Sequence, residues 1–196
     1  EQVIYVGKAK NLKSRIESYF TNRFEIDEKR KSILSRLKEL TYEEVGSELD
    51  ALLLENKYIN QHKPELNKQI KIHPLDLSRY IKKRIIIFQP GISNEQVVLY
   101  LINGTIAANR IIIDIKKDLK EHKVIALIKQ VFFNLNSIGS IYTIEQIEIM
   151  WRWFSVHKDE INFLDVEKYG SLENCAETIQ KYLADDKLFL EKIHYV

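Results

Sequence analysis

A single cysteine, Cys175, in 196 residues leaves no partner for an internal disulfide. The chain is therefore not a disulfide scaffold, and its cysteine usage fits a reducing compartment such as the cytoplasm. No apolar run approaches the roughly 20 residues of a membrane span, and no secretory signal pattern opens the chain. Charge of one sign is not in excess. Thirty Lys and Arg face 28 Asp and Glu, for a net charge of +2, so bulk electrostatics give little pull toward nucleic acid. The five histidines, His62, His73, His122, His157 and His194, show no metal-ligand spacing. There is no Walker-type phosphate loop and no Ser-His-Asp ordering. Internal repeats and low-complexity tracts are also missing.

What is present is a globular composition, 45% hydrophobic and 30% charged, long enough for one or two domains with their own cores. The chain starts at Glu1 and opens directly on a strand, which reads as a piece with its upstream residues missing. Gln2–Val6 is apolar and β-branched and is expected to be that strand, ended by Gly7. Asn11 reads as an N-cap, and Leu12, Ile16 and Phe20 repeat at helical spacing. Asp27 is expected to cap a second helix with Ile33, Leu34, Leu37 and Leu40 as its apolar stripe. Thr41–Val45 suits a short strand. Ser47 followed by Asp50 resembles a capping box. It opens a helix over Glu48–Gln61 that buries Leu49, Leu52, Leu53 and Ile59 and stops at Pro64.

Lys68, Lys71, Arg79, Lys82, Lys83 and Arg84 then face Asp76 alone in a basic connector. Those charges suit either a DNA backbone or plain solvent. A β-meander follows, with strands over Arg84–Gln89, Gln96–Ile102 and Thr105–Asp114 and turns at Pro90-Gly91 and Asn103-Gly104. The end reads as helices over His122–Asn134, Thr143–Lys158 and Leu172–Asp185. Trp151 and Trp153 on the second of these suit core packing better than base stacking. Cys175 has no base near it in sequence and reads as inert. The expected class is α/β (α+β), divided into a first domain over 1–71, a connector over 72–84 and a second domain over 85–196.

The chemistry concentrates in VIYVGKAKNLKSRIESYF, Val3–Phe20. It sets a phenol, an ammonium and a guanidinium close together, which suits a phosphodiester. This segment, together with SELDALLLENKYINQHKPELN at Ser47–Asn67, resembles the GIY-YIG nuclease superfamily. Within that superfamily it is most similar to the N-terminal nuclease domain found in the C component of the bacterial ABC excinuclease. The two motifs stand in the right order and cover about residues 1–71. The first short strand that gives the family its name, Gly-Ile-Tyr, is not in this chain. Ile144–Phe154, IEQIEIMWRWF, also resembles a helical region of proteins that join this module to a DNA polymerase III epsilon-like exonuclease.

The resemblance implies a small antiparallel sheet flanked by helices and a metal-dependent DNA endonuclease of nucleotide excision repair. DNA and other excision-repair proteins would be its partners. It implies that Tyr5 is the general base, with Lys8 supporting its phenolate. Arg15 and Tyr19, one helical turn apart, would contact the phosphate. Glu55, 12 positions before Asn67, would bind Mg²⁺ or Mn²⁺. Gly7 would let a phosphate approach, and Asn67 would hold backbone or substrate. Each residue has a plainer reading: Tyr5 packs at a sheet edge, Gly7 turns the chain, Lys8 is solvated, Arg15 stacks on Tyr19, Glu55 lies on a helix surface beside the competing Glu48 and Asp50, and Asn67 forms a turn. Two other classes stay open: a module that binds DNA or a repair partner without cutting, and a structural part of an exonuclease fusion.

Overall fold

A computed structural model of the chain describes residues 2–21, 28–67, 75–115, 126, 128–129, 132 and 140–184. The class is mixed α/β. The chain divides into two compact units, Glu1–His73 and Pro74–Tyr195.

The described part of the first unit is three helices, α1 (Leu12–Phe20), α2 (Glu28–Arg36) and α3 (Glu48–His62). Asn11 caps α1 by accepting from the Ser14 N–H at 2.9 Å. Ser47 caps α3 by accepting from the Asp50 N–H at 3.1 Å, while its hydroxyl donates to the Asp50 carboxylate at 3.2 Å. The pair makes a side-chain N-cap, with the Asp50 carboxylate held against the capping hydroxyl. At the other end Lys63 turns left-handed, its N–H closes on the Ile59 carbonyl at 2.8 Å, and Pro64 cannot continue the helix.

Three expectations fail here. Gln2–Val6 and Thr41–Val45 carry no strand ladder. A strand exists only by pairing with another. Residues 4–6 instead bond to residues 66–67, and Thr41–Val45 is tied to α3 through the Tyr58 hydroxyl, which donates to Glu43 at 2.7 Å. The helix α1 forms where expected, with Leu12 and Phe20 exposed and no residue of it fully covered. In α2 only Ile33 is buried. The helix ends at Arg36, so Leu37 and Leu40 lie beyond it, exposed. Periodicity marks a face that can be buried, but a covering element must be there to bury it. Asp27, the expected cap of α2, lies outside the described residues.

The second unit is built on a four-stranded antiparallel sheet. β1 (Arg84–Pro90), β2 (Gln96–Asn103) and β3 (Ala107–Asp114) form the meander, and β4 (Phe163–Asp165) joins the free edge of β1, giving the order β3-β2-β1-β4. The strands read RIIIF and VVLYLI without polar alternation because both faces are covered. Ile86, Phe88, Leu99, Leu101 and Ile113 share a core with Cys175, Ile179 and Leu183 of α5 (Leu172–Ala184) and with the helical residues Ile128 and Phe132. On the other face Ile85, Ile87, Tyr100 and Ile102 are fully buried. Next to them Phe163 packs edge-on against Phe154 of α4 (Ile144–His157), at 4.8 Å between centroids. Thr143 and Gln146 close a reciprocal capping box at the start of α4.

Trp151 locks α4 to the sheet. It is fully buried, stacks on Tyr80 at 4.3 Å, and donates its indole N–H to the Gly104 carbonyl at 2.9 Å. Gly104 sits at φ +57° in the β2–β3 loop, with its N–H on the Lys83 carbonyl, where a Cβ would strike the carbonyl of Ile81. Two cations of the basic stretch are neutralised locally: Lys83 pairs with Asp165 at 3.4 Å and Arg84 with Glu167 at 3.9 Å. Of the other expected basic residues, Lys68 and Lys71 lie outside the described residues. Among the described residues no helix is long and apolar enough to cross a membrane.

Removing a fully buried indole leaves a cavity and an orphaned carbonyl. Trp151→Ala is expected to cost about 3–5 kcal/mol of unfolding free energy in urea denaturation.

Candidate active site

The segment carrying Tyr5 is held by side-chain bonds. The carboxamide of Asn67 accepts from the Val6 N–H at 2.8 Å and donates to the Val6 carbonyl at 2.8 Å, satisfying both backbone groups as a neighbouring strand would. The Leu66 N–H adds a bond to the Ile4 carbonyl at 3.0 Å. Asn67 therefore serves the backbone.

Tyr5 folds its ring back over Gly7. A Cβ at Gly7 would lie 2.6 Å from the Tyr5 hydroxyl and 2.9 Å from its ring carbon Cζ. Tyr5 is the largest influence on Arg15, favouring its charged guanidinium against the opposing effect of burial. Tyr19, one turn further along α1, lies under the Arg15 guanidinium at 5.3 Å, with Nη2 at 3.5 Å from its hydroxyl. Burial first, and the neighbouring Tyr5 second, push the Tyr19 phenol up from its ordinary range, while Arg15 pulls it down. Tyr5, Arg15 and Tyr19 thus form one cluster.

Glu55, half-buried on α3, accepts from the Lys8 N–H through Oε1 at 3.2 Å. Burial pushes its carboxyl above the ordinary carboxylate range, opposed by the Lys8 N–H and by the charges of Lys8, Lys29 and Arg15. The two competing carboxylates are engaged elsewhere: Glu48 pairs with the Lys8 ammonium at 2.9 Å, and Asp50 closes the helix cap. Among the described residues Oε2 of Glu55 has no hydrogen-bond partner, and no group of three or more His, Cys, Asp or Glu converges. One half-buried carboxylate with a free oxygen fits a hard cation that keeps most of its water, as Mg²⁺ does, better than an all-protein cage.

Sequence reasoning missed two residues of α2. Lys29 places its ammonium 4.7 Å from the centroid of the Tyr5 ring. Arg30 donates to the carbonyls of Tyr19 at 3.1 Å and Thr21 at 3.2 Å, tying down the end of α1. The run EKRK reads as a charged, solvated helix start, and no local pattern separates Lys29 from its neighbours. In the second unit Cys175 is buried, which pushes its thiol up to about 11 and makes it unreactive.

Residues 1–68 match the family model described as a UvrC-like GIY-YIG domain. The same region is 45% identical over 67 residues to UvrABC system protein C of Cytophaga hutchinsonii, a match covering 34% of this chain and 11% of that protein. It is 48% identical over 69 residues to the protein of that name from Treponema denticola, covering 35% and 10%. The corresponding figures for Fusobacterium nucleatum are 44% over 70 residues, 36% and 12%. The chain therefore matches only about a tenth of the length of these relatives. No solved structure matches the chain.

Asn67→Ala removes two part-buried backbone bonds and is expected to cost about 1–3 kcal/mol in thermal or chemical unfolding. Glu55 gives a prediction of opposite sign. The fold holds the Glu55 proton more tightly than the unfolded chain does. The resulting stability is fully present below the ordinary carboxylate range and is lost as pH rises through the raised value. Glu55→Gln keeps an acceptor for Lys8 without the buried charge. Melting temperatures measured across pH, without divalent metal, are expected to show this variant more stable than the parent at neutral pH, with the difference vanishing in acid.

Proposed function

We propose that this chain carries the hydrolytic centre of a metal-dependent DNA endonuclease of nucleotide excision repair, working in the cytoplasm with other excision-repair proteins. The observation that carries the reading is the convergence of Tyr5, Arg15 and Tyr19 in one cluster, joined electrostatically to Glu55 through Arg15. It occurs inside the segment that matches the UvrC-like GIY-YIG domain.

In this mechanism Tyr5, as its phenolate, takes a proton from water. The water oxygen forms the new P–O bond as the bond to the leaving sugar oxygen breaks. Arg15 receives the charge gathering on the non-bridging oxygens, where a guanidinium fork suits a phosphate. Tyr19, held neutral by burial, supplies a hydroxyl beside it. Glu55 is the residue that would hold Mg²⁺ or Mn²⁺, which would supply Lewis-acid polarisation of the phosphate and stabilisation of the leaving oxygen. Lys8 links these parts: its N–H orients Glu55 and its ammonium is fixed by Glu48.

The test is nicking of supercoiled and lesion-bearing DNA with and without Mg²⁺ or Mn²⁺. Cleavage is expected to require the metal and to fall by about 10²–10⁴-fold in Tyr5→Phe and to a comparable degree in Glu55→Gln. Undiminished cleavage by either variant overturns the assignment. Salt-sensitive DNA binding with no metal-dependent cleavage would make the chain a binding module instead.

A further inference from the structure

We infer that Lys29, on α2, is the positioning residue that holds the Tyr5 ring and stabilises its phenolate. This rests on the reading of Tyr5 as the base.

A phenol that accepts a proton from water must carry negative charge, and a nearby cation lowers the cost of that charge. Lys8 is the cation that sequence spacing suggests, yet its ammonium is committed to Glu48 at 2.9 Å. The ammonium that lies over the Tyr5 ring is that of Lys29, 4.7 Å from the centroid, within the range of a cation–π contact. The contact acts in both protonation states. With the neutral phenol it is an attraction to the ring face that fixes the ring plane. With the phenolate it becomes a charge–charge attraction, which is stronger. The difference between the two states is what favours ionisation.

The other charged and titratable groups that act with Tyr5 are Arg15 and Tyr19 of α1. Glu55 of α3 shares Arg15 and Lys29 as neighbours. Lys29 is the member of this set that α2 contributes. It is half-buried, so its charge is less screened than that of Lys31, which is exposed. The same ammonium also acts on the Glu55 carboxylate.

The experiment reads Tyr5 directly. Tyrosine carrying ¹³C at Cζ is incorporated into the full chain, the Tyr5 signal is assigned by its loss in Tyr5→Phe, and its ionisation is followed by NMR without metal or DNA. Lys29→Met is expected to move the Tyr5 titration to higher pH, Lys29→Arg to restore it, and Lys31→Met, with the same change in net charge, to leave it in place. On DNA, Lys29→Met is expected to slow cleavage about threefold to tenfold at neutral pH, an amount consistent with loss of one cation–π or nearby-charge contact. Raising the pH should recover the rate. An unmoved Tyr5 titration in Lys29→Met, or a larger displacement in Lys8→Met, overturns the inference. Unimpaired cleavage by Tyr5→Phe would instead remove Tyr5 as the base while leaving the Lys29 titration result intact, so the two failures are distinguishable.

Discussion

The two bonds between the Asn67 carboxamide and the Val6 backbone are the constraint on which the first unit's site depends. Residues 2–9 belong to no ladder, so their backbone groups have no strand to satisfy them, and one side chain from 61 positions away takes that place. Tyr5, Gly7 and Lys8 all lie within two residues of the clamped one. The left-handed turn at Lys63 and the stop at Pro64 determine where Asn67 emerges from α3. Two residues past the clamp, the Lys8 N–H reaches Glu55 on that same helix. The helix carrying the candidate metal ligand thus also holds the strand-like segment carrying the candidate base, and the two cannot move apart without breaking both ties.

Charge at this site is organised locally, and the net charge of the chain says little about it. Glu55 is half-buried and would be costly to ionise on its own. Three cations offset that cost from three different elements: Lys8 from the loop, Arg15 from α1 and Lys29 from α2. The pairing of Lys8 with Glu48 fixes one of them in place. In the second unit the basic stretch behaves differently. Lys83 and Arg84 are paired with Asp165 and Glu167, so part of what looks like an electrostatic track along the sequence is neutralised in the fold. A count of basic residues overstates the field they project.

What the sequence made legible was whatever is fixed by local chemistry. The Asn103-Gly104 turn, the cap at Ser47 and the apolar runs of β1 and β2 each depend on a few adjacent residues, and each forms within a residue or two of its expected bounds. β4 was missed because a three-residue strand has no periodicity to read and exists only by pairing Ile85–Ile87. The stripe of α2 was over-read because Leu37 and Leu40 continue its spacing, or nearly so, but lie beyond its end, exposed. In the candidate site, Tyr5, Arg15, Tyr19 and Glu55 were found through the two-motif resemblance, and spacing alone would have justified only the Arg15–Tyr19 pair. Lys29 was invisible because its relation to Tyr5 is purely tertiary.

Gly7 shows how a structural and a chemical requirement can fall on one residue. A glycine after a strand is expected for the turn alone, and a close phosphate would explain it equally well. The geometry supplies a third reason, since the space a Cβ would fill is taken by the Tyr5 ring itself. Gly7 shows no positive φ among the described residues, so the restriction is one of volume rather than backbone strain. A side chain there would meet the far end of a movable ring, and the ring would yield before the fold did. The ring would then leave both Arg15 and the Lys29 ammonium. The glycine is thus coupled to the chemistry through the tyrosine two residues before it.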